Sequence, residues 1–130
     1  MEIKIPFKTP TVNHLYGQRP GGFGRARFLK PEARKLREEI KKIIQEDIKH
    51  DPIKSPPQHL KVNVKIYEDW LCKDGSVKRK DLVNREKFLI DSVFNALGID
   101  DKYIFEHTME KIQSDKEFAI IKIETTTWKN

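Results

Sequence analysis

Polar and apolar residues alternate along Glu2–Lys8, with Ile3, Ile5 and Phe7 on one face, the pattern of a β-strand. Pro6 and Pro10 have no amide proton for a neighbouring strand, so this segment belongs at a sheet edge or a strand end. Periodicity then disappears between Thr11 and Lys30. Gln18-Arg19-Pro20-Gly21-Gly22-Phe23-Gly24-Arg25-Ala26-Arg27 reads as a mobile basic loop, either a plain connection or a segment that orders on a phosphate backbone. Pro31 opens a helix, where its missing N–H is no loss, and Glu32 suits the first turn. Leu36, Ile40, Ile43, Ile44 and Ile48 form its buried stripe, and the helix is expected to stop near His50-Asp51-Pro52.

From Leu60 to Trp70 the chain alternates again: Val62, Val64 and Ile66 against Lys61, Asn63, Lys65 and Tyr67, a half-buried strand. Lys73-Asp74-Gly75-Ser76 is a turn. A second helix is predicted over Leu82–Leu97, closed by Gly98. Strands near Tyr103–Ile112 and Glu117–Thr127 flank a polar turn at Gln113-Ser114-Asp115-Lys116. No internal repeat is present. The order β-α-β-α-β-β predicts an α+β fold of two layers, two helices packed on a small mixed sheet. At 130 residues, the chain is read as one domain spanning 1–130.

Composition narrows the class. Hydrophobic residues make up 37% and charged residues 35%, and no apolar run approaches the roughly 20 residues of a membrane span. The N-terminus has no uninterrupted apolar core of a signal peptide, so the expected compartment is the cytoplasm, with no membrane partner. The single cysteine, Cys72, excludes an intrachain disulfide and a cysteine-based zinc site, and no histidine is marked as its partner. His14, His50, His59 and His107 include no pair at helical ligand spacing. Trp70 and Trp128, at strand ends, read as core or dimer contacts. Lys and Arg total 26 against 20 acidic residues, a net charge of +6, which favours polyanions because each neutralised phosphate releases counterions. The same balance also serves the ion-pair networks of heat-stable proteins.

The chemistry concentrates between Lys78 and Asp101. At 100° per residue from Asp81, Asn84, Lys87 and Asp91 fall at about 300°, 240° and 280°, one polar face, while Leu82, Leu89, Ile90, Val93 and Leu97 fill an arc of about 80–180°. Asp100-Asp101 follows the helix. Magnesium prefers oxygen ligands and keeps several waters, so one to three carboxylates suffice; it polarises a phosphoryl oxygen and acidifies bound water. A lysine beside it offsets charge building on the phosphate. Asp81, Asp101 and Lys87 supply those groups, although Asp81 also stands where a helix cap is expected and Lys87 on a solvated face.

Lys80-Asp81-Leu82-Val83-Asn84, Lys87, Asp91 and Asp100-Asp101 resemble the signature of the RusA family of Holliday-junction resolvases: a basic residue before Asp-x-Asp-Asn, a lysine three residues on, and an acidic cluster after a helix. Pro10-Thr11-Val12-Asn13-His14-Leu15-Tyr16 resembles the family's early Pro-Ser-x-Asn-x-x-Tyr element, and the glycine-arginine loop and charged helix follow in order. The resemblance implies a homodimeric endonuclease of DNA recombination and repair that nicks two opposed strands of a four-way junction using Mg2+ or Mn2+. It makes Asp81 and Asp101 metal ligands with Asp100 beside them, Lys87 the essential lysine, and Asn84 the asparagine next to the metal. Arg19, Arg25, Arg27, Lys78, Arg79 and Lys80, with Asn13 and His14, would hold DNA. One departure matters: Val83 stands where the family has its second aspartate, and valine cannot bind a hard cation. Glu86, one turn on and about 60° round the helix, could replace it or could pair with a lysine at the sheet edge. Asp69 or Glu68 could contribute from the preceding strand. Alternatively the protein binds branched DNA without cutting it, or is a protein-interaction domain whose basic surface is incidental.

Overall fold

The computed structural model describes residues 1–10, 16–18, 27–50 and 59–127. The elements are β1 (Glu2–Ile5), β2 (Tyr16–Gln18), β3 (Arg27–Leu29), α1 (Pro31–His50), β4 (Leu60–Glu68), α2 (Val83–Leu97), a 3-10 turn (Asp101–Tyr103), β5 (Ile104–Gln113) and β6 (Phe118–Thr125). β1, β6, β4 and β5 form one mixed sheet in that spatial order, with β4 and β5 parallel and the other neighbours antiparallel. The architecture is the expected two-layer α+β fold.

Alternation decides which face of the sheet is covered. Ile3 and Ile5 of β1, Val62, Val64 and Ile66 of β4, and Ala119, Ile121 and Ile123 of β6 are buried on one face. They meet Ile40 and Ile44 of α1 and Phe88, Leu89 and Val93 of α2 in one core. The helices also touch each other, Arg37 Nε donating to Ser92 Oγ at 3.2 Å. α2 is the crossover between two parallel strands, so it runs against the direction of both. Its N-terminus and the end of β5 therefore lie at one end of this unit, and its C-terminus and the start of β5 at the other.

Boundaries moved where backbone chemistry overrides side-chain rhythm. β1 stops at Ile5, before Pro6, which cannot extend a ladder. β4 stops at Glu68, two residues short of Trp70. The region expected to be wholly loop contains a short antiparallel pair, Tyr16–Gln18 with Arg27–Leu29, each strand too brief for periodicity to reveal. β1 takes the expected edge position. Among the described residues no helix is long and apolar enough to cross a membrane.

Candidate functional site

Asp81 precedes α2, and its Oδ1 accepts the Val83 backbone N–H at 3.0 Å. It thus satisfies one of the helix's unpaired donors, while Leu82, at the formal cap position, already has helical dihedrals and offers no side-chain cap. Asp81 and Lys87 are exposed and Asp91 half-buried, as a polar face requires. At the other end Gly98 adopts φ 71°, the left-handed geometry that glycine tolerates best, and terminates the helix. The Gly98 and Ile99 N–H groups return to the Asn95 and Phe94 carbonyls, both at 3.2 Å. Asp100 Oδ1 then accepts from Lys102 N at 2.9 Å, opening the 3-10 turn in which the exposed Asp101 sits.

The acidic residues therefore fall into two groups. Asp91, Asp100 and Asp101 line a cleft of about 400 Å³ together with Arg37, Phe94 and Asn95. Asp81 stands at the opposite end of α2, whose 15 residues span about 22 Å. Among the described residues, no three of His, Cys, Asp or Glu stand close enough in one chain to hold a metal ion. The donor chemistry, carboxylate oxygen, fits a hard cation that keeps several of its waters.

Beside Asp81 lies a buried ion cluster. Continuing the inward alternation of β4, Glu68 is 1% exposed, and Arg85, in the first turn of α2, is 3% exposed. Glu68 Oε1 accepts from Arg85 Nη1, and Glu68 Oε2 accepts from Lys80 Nζ at 2.8 Å. Arg85 Nη1 also donates to the Thr9 carbonyl at 2.7 Å, and Lys80 Nζ to the Asp69 carbonyl at 3.2 Å. A carboxylate buried this deeply is tolerated only with its charge compensated. The cluster ties together residue 9, the end of β4 and the segment entering α2. Trp70 is buried as expected, its Nε1 donating to the Ile66 carbonyl at 3.0 Å, with Lys80, Arg85 and Lys111 around its ring at 5.7, 5.6 and 4.9 Å.

Asp69 anchors the following turn: it accepts from Gln113 Nε2 at 2.8 Å, Lys78 Nζ at 3.0 Å and Leu71 N at 3.2 Å. The Gln113 hydrogen bond foremost, then Lys78, holds its carboxyl down to about 2. Glu68 and Asp69, considered as replacements for the missing ligand, are thus committed to cations and amides. Among the described residues Glu86 pairs with neither a lysine nor another carboxylate; its Oε1 lies 3.4 Å from His107 Nδ1, because this flank of α2 faces an imidazole on β5. Val83 is 58% exposed. Lys78 and Lys80 face carboxylates, and Arg79 is exposed. Asn13, His14, Arg19, Arg25 and Trp128, and the side chains of Arg27 and Asn84, lie outside the described residues.

The Glu68–Arg85 pair went unread in the sequence, although both signals were present. Glu68 falls on the inward register of Leu60, Val62, Val64 and Ile66, and Arg85 lies about 40° from Leu89 on the helical wheel. Two opposite charges on facing core surfaces imply each other.

A family model described as Endodeoxyribonuclease RusA matches residues 6–124. Comparison with curated proteins finds no match.

Proposed function

The chain belongs to the RusA endodeoxyribonuclease family, and we propose that it resolves four-way DNA junctions by paired nicking, with each divalent-metal site shared between two copies. The observation that carries the reading is the separation of Asp81 from Asp101 by the length of α2, about 22 Å. A rigid helix does not fold back, so α2 sets the two carboxylates toward its opposite ends within one chain. Two copies related by a twofold axis across α2 can bring them to one ion: Asp81 of one subunit meets Asp101 of the partner subunit, and the reverse pairing forms the second site. Twofold symmetry also suits the substrate, since resolution requires two symmetric cuts.

In each site Asp81 and Asp101, with Asp100 beside it, would hold Mg2+ or Mn2+. The bound cation would polarise the scissile phosphate and lower the pKa of an attacking water. Lys87, exposed on α2, would offset charge building on the phosphate oxygens, and Asn84 would orient the site from the first turn. Glu68, Arg85 and Lys80 act at one remove, fixing the segment that presents Asp81. Arg19, Arg25, Arg27 and Arg79, with Asn13 and His14, would hold the DNA arms, while Lys78 and Lys80 add positive potential partly offset by their carboxylates.

The test is nicking of a synthetic four-way junction, beside a linear duplex of the same arm sequence, in Mg2+ and in Mn2+. The proposal expects symmetric nicks in the junction and none in the duplex. No cutting at any metal concentration ends it. One observation favours a second reading, a branched-DNA-binding protein without catalysis: Val83 takes a ligand's place in the family pattern. That reading expects junction-selective binding with no product.

A further inference from the structure

We propose that Lys111 is a DNA-contacting residue of this chain: its ammonium group, held over the Trp70 ring, takes a phosphate of the DNA strand that lies at Asp81. The inference rests on the reading above, in which the start of α2 presents a metal ion to DNA. It adds a residue from β5 that the sequence motifs do not include.

Lys111 stands where a two-layer fold expects an apolar side chain. The register of β5 on β4 sets His107, Met109 and Lys111 beside Val62, Val64 and Ile66. Those three β4 residues are buried under the helices, and His107 meets Glu86 of α2 on the same face. Alternation therefore puts Lys111 on the covered side of the sheet. It is nevertheless exposed. A lysine satisfies both conditions by laying its methylene stem along apolar surface and keeping its charge in water. The apolar surface here is Trp70, itself 3% exposed, with Lys111 Nζ 4.9 Å from the ring centroid.

Charge separates Lys111 from the cations around it. Lys78 faces Asp69, and Lys80 and Arg85 both face Glu68. Among the described residues Lys111 has no carboxylate within ion-pair distance and no hydrogen-bond acceptor for its ammonium. The stretches outside the described residues add one acidic side chain, Asp51, against Arg19, Arg25, Lys54 and Lys129. Four cations thus stand against two carboxylates around Trp70 and the turn after it. An aromatic face orients an ammonium group without neutralising it, so the three N–H donors of Lys111 remain for an anion.

Its position suits a phosphate. β5 ends where α2 begins, and Lys80, the residue before Asp81, stands over the same Trp70 ring at 5.7 Å. One indole therefore links the Lys111 ammonium to the segment that carries Asp81. A DNA strand carries one charge per about 3.4 Å of helix axis, so a strand with one phosphate at Asp81 brings others alongside. A lysine is a compact charge on a flexible stem, suited to a phosphate approached from more than one direction. Such a contact strengthens binding and positions the strand without reading its bases.

Binding of the full chain to a synthetic four-way junction, without divalent metal and across a series of KCl concentrations, tests this by fluorescence anisotropy. Each phosphate contact contributes about 0.9 to the slope of log K against log salt. Lys111→Gln keeps the stem and removes the charge, and should lower the slope by about 0.9 for each subunit that engages the DNA. Lys111→Arg should keep the native slope. Lys122→Gln removes the same charge from an exposed residue on the other face of the sheet, between the buried Ile121 and Ile123, and should also keep it. Circular dichroism checks the fold of each variant. A native chain that does not bind the junction, an unchanged slope for Lys111→Gln, no rescue by arginine, or an equal loss for Lys122→Gln would each overturn the inference. Acetylation of the native chain, read by mass spectrometry with and without the junction, needs no variant. Bound DNA should protect Lys111, and equal labelling would overturn the contact even if a variant failed to fold. Nicking in Mg2+ and Mn2+ is scored separately. A chain that binds with the Lys111-dependent slope and never nicks keeps this contact and ends the nuclease reading. A chain that nicks while Lys111→Gln binds with the native slope keeps that reading and ends this one.

Discussion

Arg85→Met removes one of the two cations that hold Glu68 in the interior. The Glu68 side chain is 2% exposed and that of Arg85 4% exposed, so the orphaned carboxylate cannot reach water without opening the core. Breaking a buried pair from one side costs about 3–5 kcal/mol. Lys80 keeps its contact with Glu68 Oε2 at 2.8 Å, which places the loss at the lower end, about 3 kcal/mol. The Thr9 carbonyl also loses its donor, adding about 1 kcal/mol. Against a total stability of about 5–15 kcal/mol, this is a large fraction. With a urea slope near 2 kcal/mol/M, the midpoint should fall by about 2 M. The companion variant, Arg85→Met with Glu68→Leu, replaces the pair with apolar groups of similar volume and should regain most of the loss, since Lys80, with its side chain 24% exposed, can turn to solvent. Urea unfolding followed by circular dichroism measures all three proteins. A single variant within about 0.5 M of native, or a double variant as unstable as the single, would refute the claim that Glu68 depends on Arg85.

Val83→Asp supplies the carboxylate that the family pattern has at this position. At concentrations that keep the subunits associated, calorimetry should show Mn2+ binding about tenfold tighter, the effect of roughly 1.4 kcal/mol from one more ligand; unchanged affinity would place Val83 away from the ion. Asp69 should titrate by NMR with a midpoint near 2. Because folding lowers its pKa from the ordinary value of about 3.9, its contribution to stability is present above that value and fades as pH falls through about 2; a midpoint near 4 would show that the Gln113 and Lys78 contacts do not persist in solution. Gly98→Ala should cost about 1 kcal/mol in thermal unfolding, through backbone strain alone, since an added Cβ at φ +71° meets nothing within 4 Å. No measurable loss would mean that the α2 terminus relaxes and does not fix Asp100 and Asp101.

The periodic segments were legible because burial enforces their period. β4 and α1 show it best: Val62, Val64 and Ile66 face inward as alternation requires, and Ile40 and Ile44 are buried as helical spacing requires. α2 was only partly legible. Leu89, Ile90 and Val93 were assigned to its core face, but Phe88, Phe94, Ser92 and Arg85 are buried too, since the helix packs against both the sheet and α1 and hides more than one stripe. A wheel drawn for a single contact face cannot show a second. For the candidate site, local pattern and resemblance offer a set of residues and say nothing of their arrangement. Asp81 and Asp101 are close enough in sequence to suggest one site, yet the helix between them is a spacer, and its length is what leads to the proposal of a site shared by two copies. Sequence alone suggests a metal or a lysine for Glu86; its partner His107 comes from a strand whose register no local pattern discloses.

Asp81→Asn and Asp101→Asn each remove a carboxylate from both sites, and neither variant alone should nick a junction. Once their subunits have exchanged, a mixed pair combines an unaltered Asp81 on one chain with an unaltered Asp101 on the other, at one of its two seams. The account predicts that the mixture regains single-strand nicking of a four-way junction with Mg2+ or Mn2+. If both parents are inactive and the exchanged mixture stays inactive too, the two carboxylates do not meet across subunits, and the central claim is contradicted.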